Sequence, residues 1–375
     1  MKKNVFLILC LEAAILSFNV AASAALVPSI AKDFLVSQFF AGRIIWLYMI
    51  PYGLAALIYG PLVRLFDAKK IEMTCLGLFS LANLLAGLSA NIYQLFWARF
   101  LTGIFGASVI PVGIILIGQQ IEADKRGKHI GLFFGATFIA SLCGLFLSGV
   151  LPWRVIFIIP AVAGICLCLA MYFYLPCLTS EEGIFRTNYL NAFQDRRFLS
   201  VFTYIFFISL IYHGLQQWLA VYFSFQLGLG QFLISMLITL TSVSGIFGEV
   251  LGGRLADSLG RLKTIKLGII LMILSAFSLV IKMPIFLLAL LMIIWGWGWT
   301  MNHVGLSTIL TDLPKNFLYE AASLNSSIRF ISGGIGAGLG GMLLQKSPVS
   351  NFVFCGGCLT ILLLLEKRLL LVNRT

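Results

Sequence analysis

Twelve apolar stretches, each close to the length of a membrane-spanning helix and parted from the next by a short polar break, decide what this chain can fold into. They fall near residues 5–27, 44–63, 73–90, 93–117, 130–150, 155–175, 198–223, 232–251, 267–281, 285–310, 321–344 and 352–365. A spanning helix takes about 20 residues, so a dozen use roughly 240 and leave only short loops. No soluble catalytic domain fits in that remainder, and the chain is not read as an enzyme. Side-chain usage agrees, with 60% hydrophobic and 11% charged residues where soluble domains carry about 25% charge. The 26 Lys and Arg against 14 Asp and Glu give a net +12, which in a soluble chain would point to nucleic acid. Here the basic residues sit in short clusters between apolar runs, so the partner is the lipid bilayer and not nucleic acid.

The basic clusters also orient the chain. Loops on the side of the N-terminus hold 19 Lys and Arg, those on the other side hold 5, and Arg99 and Arg329 lie within spans. By the positive-inside rule both termini are cytoplasmic, which requires an even number of spans. Lys2, Lys3 and the small residues Ala22 to Ala24 imitate a signal peptide, but Glu12 interrupts the apolar region, and a first transmembrane helix is the better reading. Cys10, Cys75, Cys143, Cys166 and Cys168 fall inside apolar runs and read as small buried hydrophobes, as do Cys355 and Cys358 despite their C-x-x-C spacing. No Walker loop, H-E-x-x-H or paired metal-ligand cluster occurs, so no cofactor, metal or ATP drive is expected. The glycines between Gly336 and Gly341 read as a helix-packing stripe.

The longest polar stretch separates six spans from six, giving an N-terminal bundle over 1–178, a cytoplasmic linker over 179–197 and a C-terminal bundle over 198–375. The two halves carry a related loop. Gly60-Pro-Leu-Val-Arg64-Leu-Phe-Asp67-Ala-Lys-Lys70 follows the second span and Gly253-Arg-Leu-Ala-Asp257-Ser-Leu-Gly260-Arg261-Leu-Lys263 follows the eighth, 193 residues later. Two six-helix repeats related by an axis along the membrane normal place a solute site at their interface, near the midplane.

The chain thereby resembles the major facilitator superfamily of secondary transporters over its whole length. Residues 253–263 fill every specified position of that family's G-x-L-A-D-x-x-G-R-x-K loop. Ala98-Arg99-Phe-Leu-Thr-Gly103-Ile-Phe-Gly106 is similar to its helix-four motif, and Trp153-Arg154-Val-Ile-Phe157 to its helix-six start. The resemblance implies an all-α membrane protein of twelve transmembrane helices in two pseudo-symmetric six-helix bundles. In the first loop Arg64 replaces the usual acid and Asp67 the usual glycine. A carboxylate favours a helix N-terminus and a guanidinium does not, so the cytoplasmic gate is expected to weigh toward Asp257. In helix five, Gly144-Leu-Phe-Leu-Ser148-Gly149 lacks the Pro of the antiporter-type motif.

A charge at the bilayer centre costs roughly 2.5 to 3.5 kcal/mol, so intramembrane ionisable groups are functional candidates. Glu12 lies about two turns into the first span, with Asn19 seven residues on along the same face, and Arg99 enters the fourth span from the opposite side. Glu12 and Arg99 can approach each other, either as a structural ion pair or as a proton-exchange site whose proton affinity Arg99 sets. Helices one, four, seven and ten line the cavity in the resembled fold. The solute contacts are therefore placed on Asn19, on His213, Gln216 and Gln217 of helix seven, and on Trp295, Trp299, Asn302 and His303, which share one face of helix ten. Indole faces suit planar, cationic or sugar-ring solutes. Gly60, Arg64, Asp67, Glu249, Gly253, Asp257, Gly260 and Arg261 are assigned to the cytoplasmic gate. The chain is expected to act as a monomer in the cytoplasmic (inner) membrane, exchanging protons for a small-molecule substrate in efflux of amphipathic compounds or sugars. Proton symport for uptake is the alternative within the class. A transporter-like receptor or assembly scaffold is the alternative outside it.

Overall fold

The computed structural model describes residues 3–175, 189–310 and 318–370, and its contacts divide the chain into two compact units, Met1–Thr187 and Asn188–Thr375. In the first unit the helices are α1 (Lys3–Ala25), α2 (Val27–Asp33), α3 (Gln38–Ala41), α4 (Arg43–Leu65), α5 (Ala68–Gly87), α6 (Ile92–Gly106), α7 (Val109–Gln120), α8 (Ala123–Ser148) and α9 (Trp153–Tyr174). In the second they are α10 (Tyr189–Gln194), α11 (Arg196–Gln216), α12 (Leu219–Phe225), α13 (Gln231–Ser258), α14 (Arg261–Ser278), α15 (Ile285–Leu310), α16 (Leu318–Lys346) and α17 (Pro348–Leu370). No strand occurs among the described residues, as a bilayer demands of any backbone not closed into a barrel. Ten helical segments are long and apolar enough to cross a membrane. The third long helix of each unit, α5 and α14, stands outside those ten because the basic loop motif runs into its first turns.

Helix ends and breaks follow local chemistry. Asp67, Asn91 and Asp195 cap α5, α6 and α11 by accepting backbone N–H bonds of 2.9, 3.0 and 2.7 Å. Two spans that read as continuous are interrupted. The fourth breaks at Ala107 and Ser108, between α6 and α7, and the seventh at Gln217 and Trp218, between α11 and α12. The second break lets the buried Trp218 indole donate to the Ala337 carbonyl at 2.6 Å. Outward, side chains such as Leu364 and Phe173 are about three-quarters exposed (76% and 75%), a surface suited to lipid.

Packing repeats from one unit to the other. Helices α1 with α8, α4 with α6, α5 with α9 and α5 with α6 pair in the first; α11 with α16, α13 with α15, α14 with α17 and α14 with α15 pair in the same order in the second. Lipid is as apolar as leucine, so these contacts rest on close approach between small residues. A Cβ on Gly103 would strike the Tyr48 carbonyl across α6 and α4, and one on Gly296 the Thr241 carbonyl across the matching α15 and α13. A Cβ on Gly144 would strike the Phe18 carbonyl, and one on Gly340 that of Gly214. The expected result of Gly296→Ala is a loss of about 1–3 kcal/mol through overpacking. Gly131→Ala, which meets open space, is the control; thermal unfolding of the detergent-solubilised variants checks both.

Candidate functional site

Inside the first unit, four helices hold a polar column in an apolar interior. Arg99 on α6 is 1% exposed and donates from Nη1 to Asn19 Oδ1 at 2.7 Å and from Nε to the Ile44 carbonyl at 3.5 Å. Its guanidinium lies 4.4 Å from the Tyr48 ring centroid and 5.6 Å from that of Phe157, so ring faces supply part of the compensation. Asn19 donates in turn to Asn83 Oδ1 at 2.6 Å, and Asn83 to the Phe79 carbonyl at 2.9 Å. Asn19 and Asn83 are fully buried, which makes Asn19 a residue that positions Arg99.

Glu12 does not meet Arg99. It sits two turns from Asn19 along α1, about 10 Å by helix rise, and its carboxyl lies within hydrogen-bonding reach of Glu72 on α5. Both carboxyls are buried, at 1% and 0% exposure. An ionised carboxylate can only accept, so a hydrogen bond between two carboxyls requires a proton on one of them. Ser108, freed by the break between α6 and α7, donates to Glu72 Oε2 at 3.3 Å, while Oε1 of each glutamate has no partner. Neither glutamate forms an ion pair among the described residues; Cys75, Cys168 and Tyr59 are the other titratable groups nearby. Glu72 is absent from the sequence-based candidates because it stands next to Lys69 and Lys70 and reads as loop. The signal that finds it is the cap at Asp67, which starts α5 early enough to carry Glu72 inward.

The second unit carries an aromatic and amide cluster. Trp295 is fully buried and donates its indole N–H to Gln216 Oε1 at 2.6 Å, while Gln216 donates to Thr241 Oγ1 at 3.4 Å, so three helices share one bracket. Asn302, also fully buried, donates to the Tyr204 hydroxyl at 2.6 Å. Trp299 and His303 are half-buried, turned from that pair by the advance of the helix. The four residues expected on one face therefore split into two inward and two at its margin. Tyr212, missing from the sequence reading, stacks on Trp299 at 3.7 Å and 11° and on Trp295 at 5.5 Å and 12°. His213 contacts Gln217 at 3.1 Å.

The loop residues are placed as follows. Glu249 Oε1 lies 3.9 Å from His303 Nδ1, which joins a residue assigned to the gate with one assigned to the cavity. Asp257 is exposed at the end of α13, and Gly253 has open space around its Cα. Gly260 takes φ +93 at the start of α14, just ahead of Arg261, a conformation that favours glycine. Its counterpart Asp67 takes φ −56 and caps with its side chain, which accounts for an acid in that place. Gly60 and the Arg64 side chain lie outside the described residues. Arg154 of the helix-six motif closes the opposite end of the unit, pairing with Asp33 at 2.9 Å and donating to the Ser89 carbonyl at 2.7 Å.

Comparison with known proteins gives a consistent result. The family model of the Major Facilitator Superfamily matches residues 9–341. The uncharacterized MFS-type transporter YbcL of Bacillus subtilis (strain 168) is 25% identical, covering 96% of this chain and 94% of its own. Multidrug resistance protein 2 of the same organism is 24% identical, covering 95% and 92%. Among solved structures, a bacterial homologue of the human lysosomal transporter Spinster, inward-facing and unoccupied, superposes with a TM-score of 0.79 at 15% identity over 100% of this chain and 99% of its own.

The Arg99 network yields a test of sign. Removing Asn19 leaves a buried guanidinium short of an acceptor, whereas removing both members leaves only a neutral amide oxygen, Asn83 Oδ1, without its donor. Asn19→Leu is expected to cost about 1.5–3 kcal/mol, and the double variant Asn19→Leu with Arg99→Met less than that single one. Thermal unfolding in detergent checks the order.

Proposed function

The chain belongs to the major facilitator superfamily, and from that premise we propose that it is a proton-coupled exporter of small amphipathic organic compounds in the cytoplasmic membrane. It works as a monomer with both termini cytoplasmic, by alternating access. The observation that carries the proton part is the buried Glu12–Glu72 pair, two carboxyls in hydrogen-bond contact with no cation against them among the described residues. The pair holds one proton at rest, and a change of access that parts the two glutamates or wets them releases it. Arg99, tied to Asn19 and Tyr48, stands apart from the pair as a separate fixed charge. One proton crossing about 100 mV supplies about 2.3 kcal/mol and one pH unit about 1.4, together enough for a solute gradient of two to three decades.

On the solute side, the half-buried Trp299, His213, Gln217 and His303 make the contacts, while Trp295, Gln216 and Asn302 hold them in place. Ring faces of this kind suit amphipathic solutes with a planar part. The similarity to Multidrug resistance protein 2 supports the export direction. The cytoplasmic gate is assigned to Glu249, Gly253, Asp257, Gly260 and Arg261 in the second unit and to Gly60, Arg64 and Asp67 in the first. Uptake by symport is the second reading, favoured by the missing Pro in α8, where Gly144 packs flush against the Phe18 carbonyl.

Reconstitution in liposomes holding a pH-sensitive dye separates these readings. Solute addition dissipates an imposed pH gradient with the wild type, and the sign of the proton movement distinguishes export from uptake. Glu12→Gln and Glu72→Gln are each expected to lower coupled proton flux at least tenfold while exchange of labelled solute persists. Coupled flux unchanged in both variants refutes the assignment.

A further inference from the structure

We propose that Arg329 of α16, with the ring faces of Trp299 and Tyr212, forms a subsite for the head group of an aromatic carboxylic acid, so that the transported solute is an organic anion. The inference rests on the transporter reading above and narrows its solute class. Arg329 donates from Nε to Asn325 Oδ1 at 2.8 Å, one turn earlier on the same helix, which fixes the guanidinium plane. Its two terminal nitrogens, Nη1 and Nη2, are both buried and have no hydrogen-bond partner among the described residues. A buried charged donor left unpaired is costly, and a ligand that brings acceptors removes that cost. The two free nitrogens form one edge of a planar fork, whose match is a carboxylate accepting two parallel bonds.

The surroundings supply the rest of the ligand's shape. The guanidinium carbon lies 5.9 Å from the Trp299 ring centroid, and Tyr212 continues the stack to Trp295 at interplanar angles near 11°. Trp299, Tyr212, His213 and His303 are half-buried, so the stack has an accessible margin. Of the acids nearby, Glu249 is directed at His303, Glu366 shares the neighbour Tyr204, and neither forms an ion pair with Arg329. The first unit shows the contrast. Arg99 is buried whole in apolar surroundings, and its donors meet Asn19 and the Ile44 carbonyl. One arginine is tied into the fold, and the other holds two buried nitrogens unpaired among the described residues, beside a ring stack. A cationic solute, the usual partner of indole faces, would be repelled by Arg329.

Equilibrium dialysis of the purified, detergent-solubilised protein with labelled benzoate tests this, using benzamide and benzylammonium as competitors with the same ring and a neutral or cationic head. Benzoate is expected to bind saturably, and each competitor at least tenfold more weakly. Arg329→Gln should weaken benzoate at least tenfold and leave benzamide unchanged, while Trp299→Leu should weaken both. If Arg329→Gln does not elute as a single species, Arg329→Lys carries the test, because it keeps the charge, loses the fork and should still weaken benzoate relative to benzamide. Absence of saturable benzoate binding, equal binding of benzylammonium, or benzoate binding indifferent to Arg329 would overturn the proposal. Binding in detergent needs no proton gradient, so failure of coupled flux in liposomes and failure of this subsite are read separately.

Discussion

Charge inside an apolar medium has to be answered locally, and the way this chain answers it organises the rest of its chemistry. In the interior of the first unit, Glu12 and Arg99 are not brought together. Glu12 is matched with Glu72, two buried carboxyls between which the proposed reading places a shared proton. Arg99 is matched with an amide, a carbonyl and the face of Tyr48. An arginine–carboxylate pair at the same place would have been self-sufficient and indifferent to protons. Kept two turns apart, the carboxyl pair is free to serve as the proton site of the proposed reading, and the guanidinium stays a separate fixed charge.

The scaffold that holds these groups is a duplication, visible in contacts as much as in sequence. The same helices pair in the same order in each unit, and the closest approaches recur at matching places, Gly103 against Tyr48 and Gly296 against Thr241. The duplicated scaffold carries unlike contents. The first unit has a pair of buried carboxyls and a satisfied arginine; the second has stacked rings, histidines and an arginine with two buried nitrogens unpaired among the described residues. On the proposed reading, such a division lets one half carry the coupling ion and the other recognise the solute.

The fold class was legible in the chain because a bilayer leaves few solutions, and apolar length, basic asymmetry and the repeated loop all register in one dimension. Glu12, Arg99 and the helix-ten residues were also visible, since an ionisable or amide group in an apolar run stands out. Their partners were not. Glu72 hid beside Lys69 and Lys70, where a helix start and a loop look alike until the cap at Asp67 is seen. Tyr212 looked like any aromatic residue in a span, and its role depends on two tryptophans some 80 positions away. Helical spacing placed Trp295, Trp299, Asn302 and His303 on one face, but the neighbours α11 and α13 decide where burial ends along it. Pair partners are set by tertiary packing, to which spacing along one helix is blind.

The shared proton is the claim on which the rest turns, and infrared difference spectroscopy of the purified protein addresses it most directly. A protonated-carboxyl band should be present at neutral pH, vanish in Glu12→Gln or pass to its partner, and shift in Glu72→Gln as the hydrogen bond between them is lost. A spectrum without that band, or with one that ignores replacement of Glu72, would contradict a proton held between the two glutamates.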